Sequence, residues 1–359
     1  MSLFNSFFSA REVVAPENSR QFLREFLETT RESILVVGQD LRVVASNKAA
    51  HKSFERGGAA LEGKRLSEVI RDFNLHDAFR RALEEDQVSD IKLELHSAAQ
   101  QKYDVHIAPI RLDGKKSAIG FFYDVTQIEH LERVRQEFLS NISHELRTPL
   151  TAIMAFVETL EDGAIEDAEN NLRFLGVIRK NAERMHHLIN DILELSSIES
   201  GGVKIHLKNI KLAALVDEIF INLSAKAAER EIRLVNDVNK DEYVKADALR
   251  LEQMLTNLID NAVKFNRPAG SVTVRLNNSA EKNSISVTDE GEGIPGEHLQ
   301  RIFERFYRTD RARSREIGGT GLGLAIVKHL ARLHGGEVAV KSAPGEGACF
   351  IVELPAVQQ

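Results

Sequence analysis

Apolar residues at Leu139, Ile142, Leu146, Pro149, Ile153, Phe156 and Leu160 are spaced three and four apart in alternation. That repeat suits a helix packed along a seam on another helix. The stretch at its centre, Phe138 to Leu150, reads FLSNISHELRTPL. With Leu139 at position a and Ile142 at d, His144 falls at f, which points away from the seam. The spacing therefore predicts an imidazole presented to solvent. A lone histidine on a helix is ordinarily a plain surface or core residue, so its neighbours carry the argument. Glu145 can hydrogen-bond a ring nitrogen, and Thr148 lies one turn on over nearly the same face. Pro149 has no N–H for the carbonyl of Glu145, which builds a kink beside the histidine.

Helical patterning runs from Gln127 to Asp162, where Gly163 stops it, and resumes from about Asn170 to Glu199 with a seam at Leu175, Ile178, Ala182, Met185, Ile189 and Ile192. Two helices cannot bury both seams. An antiparallel hairpin pairing with a second copy, as a parallel homodimer with a four-helix bundle, is the economical solution. Ser200-Gly201-Gly202 then reads as a boundary.

A chain of 359 residues suggests two or three domains. Hydrophobic content of 43% beside 28% charged residues is that of a globular protein, and a net charge of -7 speaks against a nucleic-acid partner. Cys349 is the only cysteine, so no internal disulfide forms; within the apolar run Ala348 to Leu354 it reads as a small buried hydrophobe, consistent with the cytoplasm. No window approaches a membrane span and the start lacks the features of a signal peptide, so membrane attachment is not evident. Phe4, Phe7 and Phe8 read as a frayed terminus, with the stub of a trimmed anchor as the other reading, which would make the protein membrane-associated.

Residues 17 to 31 pattern as a short amphipathic helix with Phe22, Phe26 and Leu27 on one side. Strand patterns follow at Ile34 to Val37 and Arg42 to Ala45, helical ones at Asn47 to Phe54 and Leu66 to Glu85, then strands at Asp90 to His96, Lys102 to Ile110 and Ser117 to Tyr123, with a turn at Asp113-Gly114. This α+β order resembles a PAS domain, and Asp124-Val125-Thr126 resembles the D-x-T that ends one; both polar residues also suit helix capping. His51, His76, His96 and His106 read as surface residues rather than haem ligands. With no cysteine in the module, a cysteine-adduct flavin photosensor is excluded.

Beyond the boundary come a strand at Lys204 to Asn209, a helix at Leu212 to Arg230, strands near Arg233 to Asp237 and Tyr243 to Ala246, and a helix to Phe265 capped by Asp247. In that helix Asn257, Asn261 and Lys264 share one face while Leu255, Leu258, Ile259 and Ala262 cover the other. Amide oxygens suit a hard cation and an ammonium suits phosphate. A strand at Ser284 to Thr288 runs into Asp289-Glu290-Gly291-Glu292-Gly293, where glycines admit a flat ring and a carboxylate can accept from an exocyclic amine. Then follow RIFERFYR, from Arg301 to Arg308, and Gly318-Gly319-Thr320-Gly321-Leu322-Gly323 opening a helix to His334, a phosphate cradle by its chemistry. Neither a P-loop nor a Rossmann fingerprint is present.

SHELRTPL, from Ser143 to Leu150, resembles the phosphoacceptor box of two-component sensor histidine kinases, and the four later segments, in order, resemble the N, G1, F and G2 boxes of their catalytic domain, the α/β sandwich shared with gyrase-type ATPases. The resemblance covers residues 127 to 355 and implies a dimerisation and phosphotransfer domain at 127–200 and an ATP-binding domain at 203–355, behind the PAS-like sensor module that the element order suggests at 17–126. It further implies ATP and Mg2+ as cofactors, with Asn261 the metal ligand and Asn257 supporting the phosphates. Lys264 and Arg308 would contact phosphate, Asp289 adenine, with Gly291 and Gly293 shaping its pocket, and Gly319, Thr320, Gly321 and Gly323 would form the phosphate turn and lid hinge. Arg311, Arg313 and Arg315 match no motif and read as a solvated lid. By the same resemblance His144 is phosphorylated with Glu145 as base, Thr148 is the phosphatase residue of a bifunctional enzyme, and the partner is a receiver domain on a separate response regulator, since no receiver-like segment is present. One sensor module ahead of the kinase core is an arrangement similar to that of phosphate-starvation sensors. The rival readings are a gyrase-like ATPase, which would lack the phosphoacceptor box, and a catalytically silent scaffold, against which Asn261, Asp289 and the glycines stand.

Overall fold

A computed structural model describes residues 25, 27–54, 60–95, 100–112, 114–279, 281–309 and 319–356. Phe4, Phe7, Phe8, Phe22, Phe26, His96, Asp113, Arg311, Arg313, Arg315 and Gly318 lie outside them. The chain forms two compact units, 1–136 and 137–359.

In the first unit come β1 (Ser33–Gly38), β2 (Val43–Ser46), α1 (Lys48–Phe54), α2 (Leu66–Val69), α3 (Phe73–Glu84), β3 (Ser89–Leu95), β4 (Gln101–Leu112) and β5 (Lys115–Asp124). The strands form one antiparallel sheet in the order β2-β1-β5-β4-β3. Both faces of β1 are covered, so its apolar residues run continuously instead of alternating. Leu35 and Val37 join the core containing the helices, whereas Ile34 and Val36 pack with Leu27 and Ile119. Phe54, Tyr103 and Phe122 fill the centre with ring centroids 5.0 to 6.3 Å apart. Gly120 lets α3 approach, since a Cβ there would stand 2.6 Å from the Phe79 ring. Buried Asn47 accepts from Ile34 N and Ala50 N and donates to Glu32 O, thereby capping α1.

The expected helix from Leu66 to Glu85 is two helices. Ile70 is extended, and Asp72 starts α3 by accepting from Leu75 N at 2.8 Å. Three of the histidines have polar neighbours: His51 with Ser46 Oγ at 2.9 Å, His76 with Ile70 O at 2.8 Å and His106 with Asp90 at 2.6 Å. At the end of β5, Asp124 accepts from Thr126 N, and Lys102 of β4 binds the next turn of the chain. Its carbonyl accepts from Val125 N, its N–H donates to Thr126 Oγ1, and its ammonium lies 2.7 Å from Glu129, which Lys92 also pairs.

Thr126 opens α4 (Thr126–Glu161), within which the division between the units falls. Gly163, at φ 108°, follows its end, and α5 (Asn171–Glu199) returns antiparallel, as the pairs Glu145 with Arg184 and Phe156 with Phe174 require. The second unit continues with β6 (Lys208–Lys211), α6 (Leu212–Ala228), β7 (Arg233–Asp237), β8 (Tyr243–Ala246), α7 (Ala248–Lys264), β9 (Ser271–Asn278), β10 (Lys282–Asp289), α8 (Gly323–Leu333), β11 (Glu337–Ser342) and β12 (Ala348–Pro355). The main sheet runs β11-β12-β10-β9-β7, parallel only between β7 and β9, and β6 pairs with β8. Burial alternates along β10 and β12, and their buried residues share one core with α6, α7 and α8, giving an α/β sandwich.

Two sequence expectations shift here. The strand expected at Lys204 to Asn209 lies at Lys208–Lys211, where β8 supplies a partner. Cys349 is half-buried, because the alternation of β12 puts Ala348 and Phe350 on the core side.

The helical seam also divides. On α4, Pro149 and Leu160 are buried and Ile142, Leu146, Ile153 and Phe156 half-buried within the chain, while Leu139, Leu150, Met154 and Val157 are exposed. On α5, Ile178, Met185 and Ile192 are half-buried, while Leu175, Ile189 and Leu193 are exposed.

Candidate functional site

Asp247 caps α7 by accepting from Arg250 N at 3.2 Å, and also accepts from His206 N at 3.0 Å. Its own N–H donates to Nε2 of buried His334, whose Nδ1 donates to Leu330 O, so the end of α8 is pinned to the start of α7. Leu251, Met254, Leu255, Leu258, Ile259, Ala262 and Val263 bury one side of α7. Asn257, Asn261 and Lys264 stand half-buried on the other side. Neither asparagine side chain hydrogen-bonds within the described residues, which leaves amide oxygens of the kind a hard cation accepts. Lys264 is paired with Asp260 at 2.5 Å. Burial pushes the Asp260 carboxyl up, but Lys264 and Lys226 outweigh it and hold it below the ordinary aspartate range.

Beside this face β10 ends at Asp289, which is 6% exposed. Gly291 N and Ala348 N both donate to its Oδ1, at 2.9 and 3.2 Å, leaving Oδ2 to accept from elsewhere. Burial raises the Asp289 carboxyl and the two N–H bonds oppose the rise. Gly291 passes so close to the end of α7 that a Cβ would stand 2.2 Å from Phe265 O, and at Gly293, φ +70°, one would stand 1.9 Å from Ala343 O.

Phe306 N donates to Gly321 O at 2.8 Å, and Arg308 donates to Gly319 O. Gly323 faces Asn257, whose Oδ1 would lie 3.3 Å from a Cβ there. The α7 face, the turn after β10, the Phe306–Arg308 segment and the glycine turn before α8 thus converge, and the opening of α8 aims backbone N–H groups into the space they share. Around Tyr307, His298 is 2.7 Å from its hydroxyl and Arg301 lies 4.4 Å from its ring.

On α4, His144 and Thr148 are exposed, and Thr148 Oγ1 donates to His144 O at 3.2 Å. Glu145 faces Arg184 at 3.0 Å and Arg308 at 3.5 Å, and no hydrogen bond joins it to His144 among the described residues. Pro149 is inside the continuous helix.

Three family models match in succession: the PAS fold at 27–130, the His Kinase A (phospho-acceptor) domain at 134–201, and the histidine kinase-, DNA gyrase B- and HSP90-like ATPase at 246–358. The chain belongs to the two-component sensor histidine kinases. Among its relatives in that family, sensor histidine kinase WalK of Bacillus subtilis (strain 168) is 38% identical over 248 residues, 68% of this chain and 40% of WalK. Sensor protein SrrB of Staphylococcus aureus is 28% identical over 343 residues, 96% of this chain and 57% of SrrB. The chain thus spans about half the length of these curated relatives. The fold is shared with the Acinetobacter baumannii histidine kinase AdeS, at 24% identity and TM-score 0.51 over 60% of this chain and 98% of that one. It is shared also with histidine kinase ThkA, solved in complex with response regulator protein TrrA, at 22% identity and TM-score 0.51 over 92% of this chain and 97% of that one. No helix among the described residues is long and apolar enough to cross a membrane.

In this sensor histidine kinase the residues that sequence reasoning missed lie along α5. Asp191 accepts from Thr320 Oγ1 at 2.6 Å, Glu194 pairs with Arg250 at 2.5 Å and also meets Gln253, and Glu199 pairs with Arg305. Their partners are 56 to 129 residues away in sequence, and an acid on an exposed helix face looks like any solvated residue. Phe138 opens the phosphoacceptor stretch, and its ring packs on Phe306 at 5.8 Å, a contact with no local sequence signal.

Proposed function

We propose that the chain is an ATP-dependent protein-histidine kinase that phosphorylates its own His144 and passes the phosphoryl group to an aspartate of a separate response regulator. The observation that carries this reading is the convergence of Asn257, Asn261, Asp289, Gly291, Arg308 and the Gly319–Gly323 turn in the same compact unit as the helix presenting His144. Asp289 Oδ2 accepts from the adenine amine while Gly291 and Gly293 keep its pocket open to a flat ring. Lys264, Arg308, Thr320 and the N–H groups of Gly319, Gly321 and Gly323 hold the phosphates, and Asn257 supports them. The uncommitted amide oxygen of Asn261 fits Mg2+, which supplies charge neutralisation at the phosphates.

The His144 Nε2 lone pair forms the new N–P bond as the bond from the γ-phosphorus to the bridging oxygen breaks and ADP departs. Glu145 takes the ring proton and orients the imidazole; for this it must leave Arg184 and Arg308. Thr148, exposed one turn on, positions water against the phosphorylated regulator and makes the enzyme bifunctional. ThkA, which shares the fold, forms a complex with a response regulator. We retain the divisions 17–126, 127–200 and 203–355.

The kinase works as a homodimer in which Leu150, Met154 and Val157 of α4 and Leu175, Ile189 and Leu193 of α5 meet their copies. Their spacings, four and three on α4 and two heptads then four on α5, continue a seam that the hairpin leaves exposed. The phosphoacceptor assignment is tested with labelled ATP and Mg2+: wild type is expected to form an acid-labile, base-stable phosphoprotein, and His144→Gln to lose the label while still binding ATP. Persistent label in that variant overturns the assignment.

A further inference from the structure

Two of the side chains assigned to the phosphates are engaged by carboxylates of the helical hairpin. Arg308, its side chain 9% exposed, lies 3.5 Å from Glu145 Oε2 on α4. Thr320 Oγ1 donates at 2.6 Å to Asp191 Oδ2 on α5 while accepting from Leu322 N at 3.2 Å. Lys264 and His187 are also near enough to attract Asp191 electrostatically. A carboxylate presents what a phosphate oxygen presents, negative charge and acceptor lone pairs. The two helices deliver one such group each, to the segment ending the F box and to the glycine turn.

Resting on the kinase reading above, we infer that Glu145 and Asp191 stand in for the nucleotide phosphates, so that ATP and these two carboxylates compete for Arg308 and Thr320 and nucleotide binding displaces them. Burial pushes the Asp191 carboxyl up and nearby Glu194 adds to the rise, against the Thr320 hydrogen bond and the attraction of Lys264 and His187; the charge is held there at a cost that a better-matched polyanion avoids imposing. Other attachments are of another kind. Glu194 with Arg250, Glu199 with Arg305, Phe138 on Phe306 and the core that Leu188, Leu195 and Ile198 share with the ATP-binding part involve none of the groups assigned to phosphate, so they tether the two parts when the carboxylates are displaced. The same displacement removes one of the two arginines that hold Glu145, leaving Arg184 at 3.0 Å as the other, which links substrate binding to activation of the base.

The test is calorimetric binding of ATP, ADP and adenosine to the full chain, wild type and Asp191→Asn. Asparagine keeps the shape and an acceptor oxygen but removes the charge. ATP and ADP are expected to bind the variant about three- to tenfold more tightly, the scale of one partly screened charge, with adenosine unchanged. Asp191→Ser gives the same readout if the first variant folds poorly. An unaltered ratio of ATP to adenosine affinity in both Asp191 variants overturns the inference, as does an equal gain for adenosine. A wild-type chain that binds no ATP overturns the kinase reading itself.

Discussion

In the proposed homodimer, Leu193→Glu is expected to separate the two copies. Leu193 is 64% exposed on α5. In a two-fold interface it is used twice, once from each copy. Fully burying a leucine side chain contributes about 1.5–3 kcal/mol, so covering the exposed share contributes roughly 1–2 kcal/mol per copy and roughly 2–4 kcal/mol per dimer. At about 1.4 kcal/mol per tenfold, losing it weakens association roughly 30- to 700-fold. Two carboxylates forced into an apolar seam add to that loss. Sedimentation velocity across a micromolar concentration series measures it. Ile153→Ala is the matched control: Ile153 is half-buried inside the hairpin, so its truncation should lower the melting temperature and leave the sedimentation coefficient alone. A Leu193→Glu protein that sediments like wild type, or a wild type that is monomeric at these concentrations, refutes the reasoning.

Asp289→Asn should weaken ATP binding by about tenfold to a hundredfold, because its oxygen stays with Gly291 N and Ala348 N and its amide then presents a donor to the adenine amine; normal affinity by calorimetry would remove Asp289 from the adenine site. Thr148→Ala should keep autophosphorylation near wild type and slow loss of phosphate from the regulator by about tenfold or more, with equal losses in both rates arguing for a helix-kink role through His144 O instead. Asp247→Ala should cost about 1 kcal/mol in urea unfolding at neutral pH. Burial alone would raise the Asp247 carboxyl, but N–H donors at His206 and Arg250 and the charge of the Arg250 guanidinium hold it low. Its contribution is therefore complete above the unfolded aspartate value of about 3.9 and fades as pH falls through the lower folded value, so the gap between variant and wild type should close in that window. A gap that persists at lower pH contradicts the cap.

The chemistry-bearing segments were legible because each is local. Three positions on one helix face, a strand running into glycines and a glycine turn opening a helix are all set by residues within a few positions of one another. What brings the segments together was not. The nearness of Gly291 to Phe265 and of Gly323 to Asn257 depends on sheet order, which brings together residues far apart in sequence. The helix expected across Leu66 to Glu85 shows a local signal overruled: its apolar residues continue the helical period, while the Asp72 cap, visible in sequence, marks the true start of α3. The seam shows the opposite limit. Spacing of three and four identifies an apolar stripe without saying which neighbour covers it, and here Ile153 is half-buried while Met154 remains exposed. The carboxylates of α5 had no sequence signature because their meaning lies in Thr320, Arg250 and Arg305 far along the chain.

Lys102 has a mechanical consequence. Its carbonyl, N–H and ammonium reach Val125, which precedes α4, and Thr126 and Glu129 in its first turn. Attachment at a single point would let the helix swivel about its own axis. Three attachments to one residue of β4, spaced over five residues of chain, hold the start of α4 against rotation about its own axis. A substitution at Glu129 that merely weakened this anchorage would leave α4 intact and its start free to turn about its own axis.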